Sequence, residues 1–158
     1  MRHVLEVQET VRTCADCGLC CTEAHNSVRI VASEARRIAA HLALLEPRRR
    51  AELMARVEGS IKKYRLTASR KTHYTCPFLE ADMRCAIPLD VKPVACLAFN
   101  PLTQDACDQE PEWYAAAHEV EVTASRVGME EPSLKPIPVA LMDALHENDA
   151  RDTPRPLR

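Results

Sequence analysis

The sequence predicts a small, mainly α-helical domain with cysteine-rich loops and little or no β-strand. Glycine is limited to 3 residues of 158 and aromatic residues to 4%, while alanine, leucine, arginine and glutamate are plentiful. That bias favours helix over sheet. Apolar residues also recur at helical spacing in several segments, and the 8 cysteines gather in segments without that spacing.

Short elements are predicted first along the chain. Val4, Val7 and Val11 lie at helical spacing and predict a short helix over residues 4–12. Residues 28–31 are rich in β-branched side chains and alternate, so they predict a short strand.

A hairpin of two helices is predicted next. Ser33 is the expected N-cap of the first helix, and Pro47 suits the first turn of the second. The two buried faces comprise Ala35, Ile38, Ala39, Leu42 and Leu45 in the first helix and Leu53, Met54, Val57, Ile61 and Tyr64 in the second.

The remainder alternates between loops and helices. Residues 66–75 are polar and predict a loop, and the prolines between residues 76 and 107 exclude a continuous helix there. Pro111 opens a predicted helix with Trp113, Ala116, Ala117, Val120, Ala124 and Val127 on one face. A proline-rich connection at 130–138 leads to a short last helix at 139–147. We therefore expect one domain over residues 1–148 and a frayed tail over 149–158.

Charge and hydropathy restrict the partners. The net charge of −2 and pI of about 6.3 give no electrostatic case for nucleic acid or an anionic membrane. No stretch approaches a membrane span, and the first residues lack the apolar run of a secretory signal. We expect a cytoplasmic protein whose thiols stay reduced, so its cysteines indicate metal or redox chemistry; disulfides are the alternative.

The cysteines form two groups with the spacing of metal ligands. Cys14, Cys17 and Cys20 are separated by two residues each, which places sulfurs on one side of a tight loop. This run and a remote Cys76-Pro77 resemble the arrangement in bacterial ferredoxins and favour an iron–sulfur cluster, 4Fe–4S first, over zinc. Zinc would accept four of the same thiolates. The cysteine-rich loops are accordingly expected to wrap around a metal site.

Cys20 and Cys21 pose a separate question because they are adjacent. Neighbouring side chains diverge, so one compact four-ligand site does not easily use both. Either one of the two is a spare thiol or a buried small hydrophobe, or the pair serves a larger centre.

The order of the cysteines resembles the YkgJ-type cysteine-cluster family, described as a zinc- or iron-chelating domain with a CxxCxxCC signature. The resemblance covers about residues 14–101: the signature itself, Cys76-Pro77-Phe78-Leu79, Cys85-Ala86-Ile87 and Lys92-Pro93-x-x-Cys96-x-x-Phe99. It implies a ligand set of Cys14, Cys17, Cys20, Cys21, Cys76, Cys85 and Cys96. Lys92 and Leu97 stand where the family commonly has arginine, and Cys107 lies outside the signature.

Other residues carry weaker signals. His25 and His73 lie near the two cysteine groups, as do the carboxylates of Glu23, Asp82 and Asp105. Each is more typical of a surface side chain than of a ligand to an all-thiolate centre. The basic runs around residues 48–50, 62–63 and 70–71 are typical of solvated helix faces, and contact with an acidic partner or RNA is the less favoured alternative.

Three functional hypotheses follow. The first is a non-enzymatic metalloprotein for metal handling, electron transfer or sensing. The second is an enzyme, or an enzyme accessory, that uses the cluster in redox or protein-modification chemistry, as a similar cysteine pattern in flagellin lysine methylases implies. The third is an interaction module stabilised by zinc. Catalytic triads, phosphate-binding glycine loops and HExxH are absent from the sequence, which favours the first.

Overall fold

The structure, a computed structural model, describes residues 18–98 and 134–152. Helices dominate these residues. In those residues the helices are α1 (Ala32–Ala43), α2 (Pro47–Tyr64), α3 (Val94–Ala98) and α4 (Ile137–Asp152), and the strands are β1 (Arg29–Ile30) and β2 (Lys135–Pro136). A single 3₁₀ turn, Leu19–Cys21, precedes β1. The prediction of a small, mainly α-helical fold with little strand is confirmed.

The starts of the two long helices follow from local hydrogen bonds. In α1, the Glu34 carboxylate accepts from the backbone N–H of Val31 at 3.1 Å. The N-cap is therefore Val31, and the prediction of Ser33 was wrong by two residues because Glu34 supplies the missing acceptor. At α2, Glu46 accepts from Arg49 N at 3.3 Å and Pro47 takes the first helical position, as predicted.

A two-stranded antiparallel sheet joins the two described parts of the chain. Arg29 lies opposite Pro136, and Ile30 lies opposite Lys135. The Arg29 guanidinium donates to Leu134 O, at 3.2 Å from Nε, and to Ala68 O. The strand predicted at 28–31 thus exists over two residues, while its partner falls in a segment that was predicted to be only a connection.

The core lies between α1, α2 and α4. Helix α1 packs chiefly against α4, and α2 packs against the same helix. The fully buried side chains of this core include Ile30, Ile38, Leu42, Leu53, Val57, Phe78, Ile137 and Leu141. The apolar stripes read from the sequence therefore face inward in both helices of the predicted hairpin.

Helix α4 differs most from its prediction. It begins at Ile137 rather than 139 and continues to Asp152, so the residues expected to fray from 149 onward are helical up to that point. Its start is set by tertiary contact, because Ile137 N donates to the Tyr74 hydroxyl at 3.1 Å. Pro138 fits the first turn, where its missing N–H costs nothing. The helices predicted at 4–12 and from Pro111 lie outside the described residues.

Within residues 18–98 and 134–152, the helices are too short or too polar for any of them to cross a bilayer.

A pair of leucines near the end of α1 tests the packing of this core. Leu42 is 1% exposed and Leu44 is 86% exposed. We expect Leu42→Ala to lower the free energy of unfolding by about 2–5 kcal/mol, because it removes buried methyl groups and leaves a cavity. Leu44→Ala is the matched control and should change it by no more than about 0.5 kcal/mol. Urea unfolding measures both, and equal midpoints would contradict the described packing.

Candidate metal centre

Five cysteines from distant parts of the sequence line one cavity. Cys20 and Cys21 come from the first cysteine group, and Cys76, Cys85 and Cys96 from the second. All five are free thiols. We call this space the thiol cavity. The structure thus brings together five of the seven predicted ligands. The other two, Cys14 and Cys17, lie outside the described residues, as does Cys107, which is not part of the predicted ligand set.

The rest of the cavity wall is largely apolar. The volume of the thiol cavity is about 40 Å³. One water needs about 10–15 Å³ on this measure, so the cavity has room for more than a single atom. The non-cysteine residues of the wall are Gly18, Asn26, Val28, Ile38, Phe78, Ile87, Lys92, Pro93 and Ile137.

The first cysteine group enters the cavity through a tight turn. Gly18 has φ of +68°, a left-handed conformation that favours glycine, and Cys21 N donates to Gly18 O at 2.9 Å. The turn brings Cys20 and Cys21 to the same cavity, although adjacent side chains were expected to diverge. The two sulfurs also hydrogen bond to each other.

Backbone hydrogen bonds connect the first group to the second. Cys76 N donates to Cys21 O at 2.7 Å, and Tyr74 N donates to Asn26 O at 3.0 Å. These two bonds hold the segment before Pro77 alongside the segment after the 3₁₀ turn. Two sets of thiols more than fifty positions apart in sequence are thereby fixed around one space.

Cys85 is carried by a small hairpin between Phe78 and Ala86. Ala86 N donates to Phe78 O at 2.7 Å, and Cys85 forms an isolated antiparallel bridge with Leu79. This hairpin is attached to α2 by Arg56, which donates to Leu79 O. Arg49 on the same helix forms an ion pair with Glu80, so α2 positions the cysteine loop as well as the core.

Cys96 is positioned by a buried carboxylate. Cys96 lies on α3, and its backbone N–H donates to Pro93 O at 2.9 Å. One oxygen of Glu34 accepts from Val94 N at 2.9 Å, at the first turn of α3, while the other bonds Val31 N. Glu34 therefore ties the start of α1 to the helix that carries Cys96.

The electrostatics of the thiols vary with their neighbours. The pKa of Cys20 is lowered to about 7, chiefly because Cys21 donates a hydrogen bond to its sulfur, with a smaller contribution from the positive charge of Lys92. The same hydrogen bond, followed by burial, raises the pKa of Cys21. Burial raises the pKa of Cys76 to about 12 and places that of Cys96 well above its ordinary value.

The raised pKa values of Cys21, Cys76 and Cys96 favour the protonated thiol in the absence of a cation, whereas the lowered pKa of Cys20 favours its thiolate. After burial, neighbouring cysteines are the main cause that raises the pKa of Cys96, because negative charges repel in a medium of low polarity. A bound metal ion compensates both burial and repulsion, so metal binding would release protons from the cavity. Lys92, which is 5% exposed and lines the cavity, adds a positive charge to the wall.

The alternative ligands weighed in the sequence do not line the thiol cavity. His25, His73, Glu23 and Asp82 are exposed, and Glu23 instead accepts from the Tyr64 hydroxyl at 2.6 Å. Asp105 lies outside the described residues.

Two residues of the site were missed in the sequence. Tyr74 was assigned to a polar loop, yet it is fully buried and its hydroxyl donates to Val28 O at 2.7 Å. Asn26 is 2% exposed and lines the thiol cavity. The only sequence signal was proximity, since Tyr74 lies two residues before Cys76 and Asn26 five residues after Cys21.

The fold and site define a small, mainly helical protein with a cysteine-lined cavity. Among residues 18–98 and 134–152, no three histidine, cysteine, aspartate or glutamate side chains are arranged to hold a metal ion as they stand. Comparisons with protein-family models, with curated proteins and with solved structures find no match. The resemblance to the YkgJ-type family stays a prediction.

The donor set itself is suited to soft metals. Thiolates favour zinc, copper(I) and iron–sulfur clusters over the hard cations that oxygen ligands select. Within the part of the chain that the structure describes, no carboxylate lines the thiol cavity, and most of the non-cysteine lining residues are apolar. The chemistry of the lining thiols suits a thiolate-bound metal group, although the described side chains, as they stand, form no group of three that could hold an ion.

Gly18 provides a test of how the first cysteine group is seated. A methyl group there would collide with the backbone oxygen of Met83 and lie 2.7 Å from Leu79 Cδ1, at a left-handed φ. We expect Gly18→Ala to displace the turn, to lower the unfolding temperature and to reduce the metal retained per protein.

Gly59→Ala is the matched control, since a methyl group at this position within α2 meets no atom within 4 Å. It should leave metal content unchanged and stabilise the helix by up to about 1 kcal/mol. Thermal unfolding and elemental analysis measure both variants. If Gly18→Ala matches Gly59→Ala in both readouts, the described seating of the turn is wrong.

Proposed function

We propose that this protein binds an iron–sulfur cluster through cysteine thiolates in the thiol cavity. The observation that supports this most is the convergence of five free thiols, from two sequence-distant groups, on one apolar space. Cys17 directly precedes Gly18 in the sequence and Cys14 stands three positions before Cys17, so both are candidates to complete the ligand set. The resemblance to a metal-chelating family was drawn from the same cysteines.

Three features favour a cluster over a single zinc ion. A structural zinc site takes four ligands, whereas five thiols already line the cavity without counting Cys14 and Cys17. The cavity also has room for about three water-sized groups, which is more than one ion needs. The Cys-x2-Cys-x2-Cys run with a remote Cys-Pro points the same way.

A bound cluster would supply one-electron chemistry, which suits electron transfer or sensing. This chain's own residues hold the centre, exclude water through the apolar wall and place the charge of Lys92 near the sulfurs. We propose that the protein works in the cytoplasm, where such thiols stay reduced.

A zinc-stabilised module is the second candidate, and one observation favours it. Cys76 belongs to the hydrophobic core itself, and Cys21, Cys85 and Cys96 pack against that core. Metal bound at this place would hold the core together, as in small domains whose folding depends on zinc.

Metal analysis of anaerobically purified protein separates these functions. A cluster predicts a brown protein with iron and acid-labile sulfide in equal amounts, whereas the zinc module predicts a colourless protein with stoichiometric zinc.

Cys96→Ser should lose most of the metal, because a hydroxyl is a poor substitute for thiolate.

Cys107→Ser is the control, since Cys107 lies outside the predicted ligand set. It should retain the wild-type metal content. Wild-type protein that is folded and free of iron, zinc and sulfide would overturn both candidates, and loss of metal in Cys107→Ser alone would overturn the proposed ligand set.

A further inference from the structure

One polar group on the wall of the thiol cavity lacks a partner. Asn26 is 2% exposed and lines the cavity, and its Nδ2 is buried with no hydrogen-bond partner among the described residues. A buried N–H₂ group without an acceptor costs about 1–3 kcal/mol. Such a group calls for an acceptor, and the cavity that Asn26 lines is bordered by five thiols.

The orientation of the Asn26 side chain follows from its other end. Oδ1 accepts from Val28 N at 3.0 Å. A backbone N–H can only donate, so the atom facing Val28 must be the oxygen, and the donor group is Nδ2. The amide therefore cannot be turned round without losing this bond.

The backbone at Asn26 is held on both sides. Asn26 N donates to Thr22 O at 2.8 Å, and Asn26 O accepts from Tyr74 N at 3.0 Å. The side chain is thus fixed between the first cysteine group and the segment that leads to Cys76. Positioning of this kind is what a hydrogen-bond donor to a metal-bound sulfur requires.

The Tyr74 hydroxyl is the competing acceptor nearby. It already donates to Val28 O at 2.7 Å and accepts from Ile137 N at 3.1 Å. Burial raises the pKa of Tyr74, and an interaction with the Asn26 side chain lowers it. Nδ2 therefore lies near this hydroxyl, although the two do not meet in the geometry of a full hydrogen bond. A purely structural role for Asn26 would be to support this hydroxyl.

We propose that the Asn26 amide donates an N–H···S hydrogen bond to the sulfur-bound centre in the thiol cavity and thereby tunes it. The inference rests on the proposed function. Hydrogen bonds to the sulfurs are one of the means by which a protein sets the potential of an iron–sulfur cluster, because they stabilise the more negative, reduced form. Asn26 is on this account a positioning residue beside the centre and not a ligand.

The test compares wild type with Asn26→Asp, Asn26→Leu and Tyr74→Phe, all reconstituted anaerobically. Asn26→Asp keeps an acceptor for Val28 N but replaces the donor by an oxygen, and Asn26→Leu removes both. We expect both Asn26 variants to shift the reduction potential to more negative values. For Asn26→Leu the expected shift is about tenfold in the oxidation equilibrium, or about 59 mV for a one-electron couple.

Tyr74→Phe is the control for a structural role. It should lower stability without moving the potential, since it removes only the hydroxyl. If the Asn26 variants behave like Tyr74→Phe and keep the wild-type potential, the inference is overturned while the proposed cluster stands. If wild type binds no metal, the proposed function itself fails at the first step.

A second measurement does not depend on the folding of the variants. The chain has only three asparagines, at positions 26, 100 and 148. In wild-type protein labelled with ¹⁵N-asparagine and loaded with zinc, which is diamagnetic, one side-chain amide should shift on loading and exchange slowly with solvent. Three amides that are unchanged by loading would overturn the inference.

Discussion

Buried thiols that lie together resist losing all their protons unless a cation compensates the negative charge, and this constraint governs the thiol cavity. Burial raises the pKa of Cys76 to about 12, and burial and neighbouring thiols together raise that of Cys96. Both sulfurs lie where core and cavity meet. A thiolate-bound metal group would satisfy this constraint, because it would add positive charge to a wall whose lining includes a single cationic side chain, Lys92, among the described residues.

The polar groups around the cavity position its elements. Glu34 bonds Val31 N and Val94 N, so one carboxylate determines both where α1 begins and where the helix of Cys96 lies. Tyr74 does the same on the opposite side, between Val28 and the start of α4. The helices therefore position the cysteine-bearing loops, which contain little regular secondary structure of their own.

The sequence predicted what depends on local pattern and missed what depends on distant partners. Apolar residues at helical spacing predicted helices α1 and α2. The spacing of the cysteines divided them into two groups. The strand β2 was missed because Lys135 and Pro136 become a strand only opposite Arg29 and Ile30, more than one hundred positions away. Tyr74 and Asn26 were missed for the same reason, since neither belongs to a periodic pattern.

X-ray absorption at the metal edge of anaerobically isolated protein tests the central claim, that these cysteines bind one metal centre. The account predicts a first shell composed of sulfur, with metal–metal scattering if the centre is a cluster. For zinc the sulfur distance would be about 2.3 Å. A first shell of nitrogen or oxygen, at about 2.0–2.2 Å for zinc, would contradict the account, because the described residues that line the thiol cavity include neither a histidine nor a carboxylate.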